Sequence, residues 1–204
     1  MLLLLLFQHF VVASRGPSPD VYIFDLSKHP SFPSDTATFS PQGICVGHEK
    51  EGYSMAWSPH QEGYLATGSE DTTVKLWDVR SALASKAAPG TKLSAMATFR
   101  GHTATVEDVA WHAKDMNMIG SVGDDKCIFL WDTRKPEKEI HLVQNAHDDD
   151  INCIAFNPKN EYVFATGSAD KTIGIWDIRN LKAYVQCSTS PRNDDFVCNN
   201  TRLT

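Results

Sequence analysis

Apolar and polar residues alternate in short runs along most of the chain, and this pattern predicts β-strands. Three segments show it and reach an aromatic residue near their ends: YSMAWSP, VEDVAWH and INCIAFNP, at residues 53–59, 106–112 and 151–158. A strand with one buried face has this period of two residues. A polar turn follows each segment, and two apolar runs joined by a tight turn come next. The pattern therefore predicts repeated β-hairpins.

The last hairpin, GSADKTIGIWDIR at residues 167–179, shows the repeat most clearly. Two earlier segments have the same design: GSEDTTVKLWDVR at residues 68–80 and GSVGDDKCIFLWDTR at residues 120–134. A further run, VYIFD at residues 21–25, aligns with VKLWD of the first hairpin and carries Phe24 in place of the tryptophan. The chain is therefore a repeat protein with three full units and most of a fourth, whose first strand is missing or replaced.

Four polar positions recur at the same spacing in each full unit. A histidine precedes the tryptophan by 29 residues, an aspartate follows the histidine by 23, and a hydroxyl residue stands four before the aspartate. The three sets are His48, Thr67, Asp71 and Trp77; His102, Ser121, Asp125 and Trp131; and His147, Thr166, Asp170 and Trp176. These groups can link as a hydrogen-bonded chain that satisfies a buried carboxylate, so we predict a structural tetrad in each unit.

A histidine, an aspartate and a hydroxyl also make up hydrolase triads. A catalytic site would not be copied into every unit and would not end on a buried tryptophan, so we interpret the set as structural. The sequence has no glycine-rich phosphate loop, and the run Asp148–Asp150 lacks the further ligands that a calcium site needs. We therefore predict a protein that is not an enzyme and has no catalytic residue, no cofactor and no metal.

The repeats resemble WD40 repeats, which have a Gly-His pair, a Trp-Asp pair and a period near 40–45 residues. Such repeats form the four-stranded blades of a β-propeller. Strands such as IGIWDI are apolar on both faces, so each small sheet must lie between neighbours. The sequence therefore predicts an all-β fold, a partial WD40 propeller with three full blades and most of a fourth.

The unit boundaries follow from the spacing of the repeats. We predict an incomplete blade at residues 10–46 and full blades at residues 47–99, 100–143 and 144–187. Residues 1–9 and 188–204 depart from the repeat pattern, the first as a leucine-rich start and the second as a divergent tail. The polar stretch Ser27–Gln42 is predicted to be a loop, with a short strand at Gly43–Val46 after it. The longer segment Ser81–Ala97 is predicted to be an outer loop, where insertions cost little.

Composition narrows the range of partners. The chain has 204 residues, of which 42% are apolar, and its net charge is −6. A sequence pI near 5.7 argues against direct binding of nucleic acid and favours a basic partner. The five cysteines are scattered without metal-ligand spacing, so we expect reduced thiols. The apolar run Leu2–Phe7 has no basic segment before it and is followed by Gln8 and His9, so we expect neither a secretory signal nor a membrane anchor.

In a propeller, the residues just after each Gly-His pair start the innermost strand and line one rim of the central channel. Glu51 and Tyr53 follow His48 by three and five residues, Glu107 follows His102 by five, and Asn152 follows His147 by five. Carboxylates suit Lys or Arg, an amide suits peptide backbone groups, and an aromatic ring can stack on a guanidinium. These residues indicate a site for an extended basic peptide. The alternative is an ordinary solvated acidic rim.

A narrower resemblance covers residues 10–182. The segments DVYIFDLSKHPS, GHEKEGYSMAWSP, GHTATVEDVAWH and FNPKNEYVFATGSADKTIGIWDIRNLK are similar to the retinoblastoma-binding histone chaperone family, also known as the MSI-like small subunit of chromatin assembly factor. The resemblance implies a seven-bladed whole protein of which this chain is a fragment. It also implies a nuclear scaffold of chromatin complexes that binds the histone H3 tail through Glu51, Tyr53, Glu107 and Asn152. The elements with which the family holds a helix of histone H4 are not found in this sequence.

A second function is suggested by an arginine two residues after each Trp-Asp pair, at Arg80, Arg134 and Arg179. This pattern resembles the box by which substrate receptors dock on the adaptor of cullin-4 ubiquitin ligases. The alternative is that the arginines pair with neighbouring acids on the opposite face of the blades, where such pairs are common and weak.

Overall fold

The structure is a computed structural model that describes residues 3–6, 9–28, 39–181, 183–189 and 196–202, with side chains described for residues 11–28 and 39–181. The regular secondary structure of the described part is almost entirely β-strand. Its elements are β1 (Leu3–Leu6), β2 (His9–Arg15), β3 (Val21–Asp25), β4 (Gly43–Val46), β5 (Met55–Trp57), β6 (Tyr64–Gly68), β7 (Thr73–Asp78), helix α1 (Arg80–Leu83), β8 (Thr91–Ser94), β9 (Ala97–Arg100), β10 (Val106–Trp111), β11 (Met118–Gly123), β12 (Ile128–Asp132), β13 (Glu139–Val143), β14 (Ile151–Phe156), β15 (Val163–Ser168), β16 (Thr172–Asp177), β17 (Ala183–Thr189) and β18 (Phe196–Arg202). Two short 3₁₀ segments, Leu26–Lys28 and Ile178–Asn180, follow β3 and β16.

The strands form four small sheets, which we call blades A to D. Blade A has the strand order β1-β2-β3-β4-β8, blade B has β5-β6-β7-β9, blade C has β10-β11-β12-β13 and blade D has β14-β15-β16-β17-β18. The innermost strands lie side by side in the order β1, β5, β10 and β14. This arrangement confirms the predicted all-β class and partial propeller.

Blade A differs from the sequence-based expectation in two ways. Its first position is occupied by β1, which pairs with β2 as the first strands of the other blades pair with their second strands. Its outer edge gains β8, which runs parallel to β4 with Gly43 opposite Thr91. The segment Ser81–Ala97, which we expected to be only a loop, therefore supplies part of α1 and a strand to the neighbouring blade. Two of its residues, Ala82 and Leu93, are buried there.

Three hydrophobic cores lie between consecutive blades. We call the side of a blade that faces the preceding blade its leading face, and the other side its trailing face. Between blades A and B, Val21 and Ile23 of the trailing face pack with Leu65 and Trp77 of the leading face. The cores between blades B and C and between blades C and D are built from the equivalent positions. Strands that are apolar on both faces are stable in blades B and C because each of these two sheets is covered on two sides.

The smaller predictions concern a strand, a loop, the cysteines and membrane segments. The predicted strand Gly43–Val46 is β4. Most of the predicted loop Ser27–Gln42 lies on residues 29–38, outside the described residues. Among the residues with described side chains, Cys45 is buried, Cys127 is partly buried and Cys153 is exposed, and all three are free thiols. Within the described part of the chain, no helix has the length and apolarity needed to cross a membrane.

Candidate functional site

The four polar residues of each unit lie within hydrogen-bonding distance of one another in a continuous chain. In blade B, His48 Nδ1 lies 2.8 Å from Asp71 Oδ2, and His48 Nε2 lies 2.8 Å from Thr67 Oγ1. The indole Nε1–H of Trp77 donates to the same hydroxyl at 2.9 Å. Blades C and D repeat these contacts within 0.2 Å: His102, Ser121, Asp125 and Trp131; and His147, Thr166, Asp170 and Trp176.

The direction of the hydrogen bonds in this chain is set by its two ends. An indole can only donate and a carboxylate can only accept, so the hydroxyl donates to Nε2 and Nδ1–H donates to the carboxylate. This arrangement needs a neutral histidine. Burial lowers the pKa of His48, although the hydrogen bond and charge of Asp71 oppose that shift. Burial by itself raises the pKa of Asp71, but hydrogen bonds from His48, Thr73 and the Glu49 backbone outweigh it and bring that pKa well below its usual range.

The aspartate of each set also organises the hairpin turn. Asp71 Oδ1 accepts the backbone N–H and the hydroxyl of Thr73 at 2.9 and 2.6 Å, which closes the turn around Thr72 at a φ of +66°. Its other oxygen accepts the backbone N–H of Glu49 at 2.9 Å, in the loop after His48. Asp125 and Asp170 make the equivalent contacts with that loop at Thr103 and Asp148. The tetrad therefore holds the hairpin and the loop that follows the histidine together.

That loop carries Glu51 and Tyr53 in blade B and leads into the strands that carry Glu107 and Asn152 in blades C and D. The backbone oxygen of Glu51 accepts hydrogen bonds from the Ser69 hydroxyl at 2.7 Å and the Glu70 amide at 2.9 Å. The equivalent backbone oxygen of Asp150 accepts the Ala169 amide at 2.9 Å. The loops therefore lie at the same end of their blades, where β5, β10 and β14 begin. We call this the top end.

Five carboxylates cluster at the top end across three blades. The pKa of Glu107 is raised, first by its partial burial and then by the negative charges of Asp124, Asp150, Glu70 and Asp108. We call these five residues the carboxylate cluster. Glu70 belongs to the hairpin turn of blade B and Asp150 to the loop of blade D. Among the described residues, no ion pair involves any of the five.

Asp108 differs from the other members because it is held by backbone groups. Its Oδ1 accepts the amide of Val109 and its Oδ2 accepts the amide of Ile154, both at 2.9 Å. Burial raises its pKa, and these two hydrogen bonds oppose that shift. Because Ile154 belongs to blade D, Asp108 ties blade C to blade D. Sequence reasoning missed this contact, since the spacing of the repeats gives no sign of a bond between blades.

Glu51 and Tyr53 lie at another part of the top end, beside Arg15. Tyr53 is 59% exposed, and with Glu51, Met55 and Arg15 it lines a pocket of about 550 Å³. The Arg15 guanidinium donates to the backbone oxygens of Gly68 and Pro19. Burial lowers the pKa of Arg15, and the negative charges of Asp71 and Glu51 oppose that shift. Sequence reasoning missed Arg15, which brings a cation next to Glu51 from a strand 36 residues earlier.

The four predicted peptide-binding residues therefore fall into different surroundings. Glu107 belongs to the carboxylate cluster, and Glu51 and Tyr53 share the pocket with Arg15. Asn152 is exposed on β14, two residues after Asp150 of the cluster. All four lie at the top end of their blades.

The three arginines that follow Trp-Asp lie at the opposite end, which we call the bottom end. The first and third strands of a blade run in the same direction, so residues after β7, β12 and β16 lie away from the loops at the top. Arg134 donates through Nε and Nη2 to the two oxygens of Asp132 at 2.8 and 2.7 Å, and lowers the pKa of that carboxyl to about 2. Arg80 and Arg179 make the same paired contacts with Asp78 and Asp177.

These arginines remain accessible although each has a partner. Their side chains are 58%, 67% and 63% exposed at Arg80, Arg134 and Arg179. The Arg179 guanidinium also stands 4.3 Å from the ring centroid of Tyr162, and that of Arg80 stands 5.2 Å from the ring centroid of Tyr64. The ion pairs therefore hold three guanidinium groups in matching orientations on one surface.

Comparison with known protein families gives a match to the family described as WD domain, G-beta repeat. The model of this family matches residues 39–78, 93–132 and 138–177. Each match contains the outer strand of one blade and ends with the third strand of the next, so consecutive blades share a repeat. Together the three matches cover more than half of the 204 residues. The chain belongs to the WD40 repeat family.

Proposed function

We propose that this chain is a non-enzymatic scaffold that binds a basic histone-tail peptide of the H3 type at the carboxylate cluster. WD40 repeats are typical of protein-interaction scaffolds, which supports the general part of this proposal. The observation that carries the specific part is the group of five carboxylates around Glu107, with no ion pair among the described residues. The resemblance to histone chaperones of chromatin complexes supports the same partner and a nuclear location.

The cluster favours a cationic ligand for an electrostatic reason. Partial burial and, after it, repulsion by the neighbouring carboxylates raise the pKa of Glu107, so this carboxylate is less stable in its ionised form than in water. A Lys or Arg side chain placed among these groups relieves that repulsion and forms charge-assisted hydrogen bonds. Each such bond contributes roughly 1.5–3 kcal/mol. Asp108 keeps its backbone bonds, so Glu70, Glu107, Asp124 and Asp150 are the groups that meet the cation.

Glu51, Tyr53 and Asn152 contact different parts of the peptide, because their surroundings differ. The charge of Arg15 partly compensates Glu51, so the main cation of the peptide goes to Glu107 and its neighbours rather than to Glu51. The exposed ring of Tyr53 packs on the aliphatic part of a second side chain or on a guanidinium. Asn152, exposed beside Asp150, hydrogen-bonds with the peptide backbone.

Calorimetry with an H3-type tail peptide tests the proposal. We expect Glu107→Lys to weaken binding at least about tenfold, which is about 1.4 kcal/mol and corresponds to the loss of one charged contact. Glu62→Lys is the matched control, because Glu62 is exposed in the turn between β5 and β6 at the bottom end and should leave the affinity unchanged. Affinity should also fall as salt increases. Equal binding by the Glu107→Lys protein and the unmodified chain would refute the site.

A second candidate function is docking on the adaptor of a cullin-4 ubiquitin ligase through Arg80, Arg134 and Arg179. The observation that favours it is the matching orientation of these exposed guanidinium groups at the bottom end. A pull-down with the three arginines replaced by alanine separates the two functions. Loss of the adaptor with the tail peptide still bound supports docking at the bottom end. Unchanged capture of the adaptor rules it out.

A further inference from the structure

The outer edge of blade A is covered by an added strand, whereas the outer edges of blades B and C are open. Strand β8 runs parallel to β4, with Gly43 opposite Thr91 and Cys45 opposite Leu93. Among the described residues, no strand pairs with the outer edge of β9 or of β13. The backbone groups of an open edge can pair with an extended segment of another chain.

At the junction of blades A and B, the added strand completes the core between the blades. Val79, which precedes α1, Ala82 of α1 and Leu93 of β8 are buried and share one core with Cys45 of β4. An added Cβ on Gly43 would stand 2.8 Å from Ala82 Cβ and 3.2 Å from Leu93 Cδ1. Both side chains therefore lie directly against β4.

At the junction of blades C and D, the outer strand of blade C has an apolar residue at the position of Cys45. This residue is Val143 of β13, because Val143 pairs with Ile128 as Cys45 pairs with Val21. Cys45 is 1% exposed beneath β8, but Val143 is partly exposed. The position that β8 covers on blade A is therefore open on blade C.

Blade D has the same pair of apolar residues after its Trp-Asp as blade B. Ile178 and Leu181 follow the aspartate by one and four residues, as Val79 and Ala82 do in blade B. Ile178, Leu181 and Val143 pack against the core between blades C and D, but all three remain partly exposed. What this junction lacks, compared with that of blades A and B, is the strand that carries Leu93.

A groove lies at this place between blades C and D. It has a volume of about 430 Å³, and its lining includes His141, Leu142, Val143, Ile178 and Leu181. Because three of these residues also pack against the interblade core, the groove continues that core to the outside. Leu142 of the edge strand is 37% exposed, so the open edge is also apolar.

The junction of blades B and C is closed in a different way. Phe99 of β9 stands at the position of Cys45, since it pairs with Val74. Its ring is 1% exposed and lies 5.5 Å from the Trp131 ring of blade C, measured between centroids. A large side chain thus closes this junction without an added strand. Of the three junctions, the one between blades C and D has an apolar groove that neither a strand nor a large ring fills.

We propose that the outer edge of β13 binds an extended segment of a partner protein as a parallel strand, in the position that β8 holds on β4. The segment has an apolar residue opposite Val143, which fills the groove as Leu93 does on blade A, and a second apolar residue opposite Leu142. The partner supplies the strand because β17 begins at Ala183, two residues after Leu181, so blade D has no insertion there.

The proposed contact is separate from the tail-peptide site. The carboxylate cluster lies at the top end of the blades, whereas β13 forms the outer edge of blade C. The binding of a strand to β13 is therefore independent of the proposed function, and each can be refuted while the other stands.

A peptide that imitates β8 tests the proposal. The probe has the sequence Pro89–Met96 with the change Lys92→Val, which places valine opposite Leu142 and Leu93 opposite Val143. We expect calorimetry to show binding to the full chain, and no binding at about 1 mM peptide would overturn the proposal. A chain that already forms a pair by light scattering, with Leu142→Lys dissolving that pair, would show a second copy on the edge and would also overturn it.

Two variants of the chain test the place of binding. Leu142→Lys puts a charge on the edge strand and Leu181→Glu puts one in the groove, so each should weaken binding at least about tenfold. Met116→Lys is the matched control, because Met116 is 43% exposed in the turn between β10 and β11 of the same blade and should leave binding unchanged. Circular dichroism like that of the unmodified chain shows that each variant folds. Binding that survives both substitutions would place the peptide elsewhere and refute the site.

Disulfide trapping tests the direction of the added strand. In the register of β8 on β4, Ser94 of the probe lies opposite Gln144, and neighbouring strands bring paired Cα atoms within the range of a disulfide. A probe with Ser94→Cys should therefore cross-link to the Gln144→Cys chain, above the background that the unmodified chain gives through its own cysteines. Cross-linking to His141→Cys instead would mean an antiparallel strand, and cross-linking to neither would mean that the peptide does not pair with β13. Either result would overturn the proposal.

Discussion

Removing the hydroxyl at the centre of one tetrad measures what the hydrogen-bonded chain contributes to stability. Ser121 is fully buried in blade C. Its Oγ accepts the indole N–H of Trp131 at 2.9 Å and donates to His102 Nε2 at 2.8 Å. Ser121→Ala leaves both partners buried without this oxygen. Each of the two orphaned groups costs about 1–3 kcal/mol, so we expect a loss of about 2–6 kcal/mol in the free energy of unfolding.

Two further substitutions serve as matched controls. Ser121→Thr keeps the hydroxyl, and blades B and D have Thr67 and Thr166 at this position, so the loss should stay below about 1 kcal/mol. Ser54→Ala removes another buried hydroxyl, but Ser54 Oγ has no hydrogen-bond partner among the residues that the structure describes. Deleting an unpaired polar atom should be neutral or stabilising.

Urea unfolding monitored by tryptophan fluorescence gives the required free energies. The expected order of stability is Ser54→Ala and the unmodified protein together, Ser121→Thr close to them, and Ser121→Ala well below. If Ser121→Ala unfolds within about 0.5 kcal/mol of the unmodified protein, the buried chain is not a major source of stability and the argument is wrong.

Two other predictions follow from the same geometry. Acid should destabilise the fold in two steps. The pKa of His48 is lower in the folded state than in the unfolded state, where it is about 6.5. The neutral ring therefore stabilises the fold above about pH 6.5, and this contribution is lost as pH falls below that value. The hydrogen bonds of Asp170, which outweigh its burial and lower its pKa to about 2, stabilise the fold above about pH 4, and this is lost as pH falls towards 2. Urea midpoints that do not change between pH 7 and pH 3 would contradict both steps. Gly101→Ala should cost about 1–3 kcal/mol, because an added Cβ would stand 2.7 Å from Phe129 and 2.8 Å from Trp131. Blade D has Ala146 at this position and Gly174 in place of Phe129. The double variant Gly101→Ala, Phe129→Gly should therefore lose less free energy of unfolding than the sum of the losses of the two single variants. A double-mutant cycle measured by urea unfolding gives this difference.

The repeated hairpins and the polar sets could be predicted from the sequence because both depend on local order. A period of two residues along a strand shows which side chains share a face, and a fixed spacing from histidine to tryptophan appears without knowledge of the fold. The propeller followed from strands that are apolar on both faces, since such sheets are stable only when stacked. The position of Glu51, Glu107 and Asn152 at one end of the blades also follows from the repeat, because equivalent positions have equivalent surroundings.

Contacts between blades were decided only by the tertiary structure. Arg15 reaches Gly68 and Glu51 from a strand of another unit, and the Asp108 carboxylate holds the Ile154 amide of the next blade. The parallel pairing of β8 with β4 joins segments about 48 residues apart, and its four residues are too few for a clear period. Such contacts depend on the distance between side chains from separate units, which alternation and spacing within a unit do not report. For the same reason, the sequence showed that Val143 and Leu181 are apolar, but only the packed blades showed that they line an open groove.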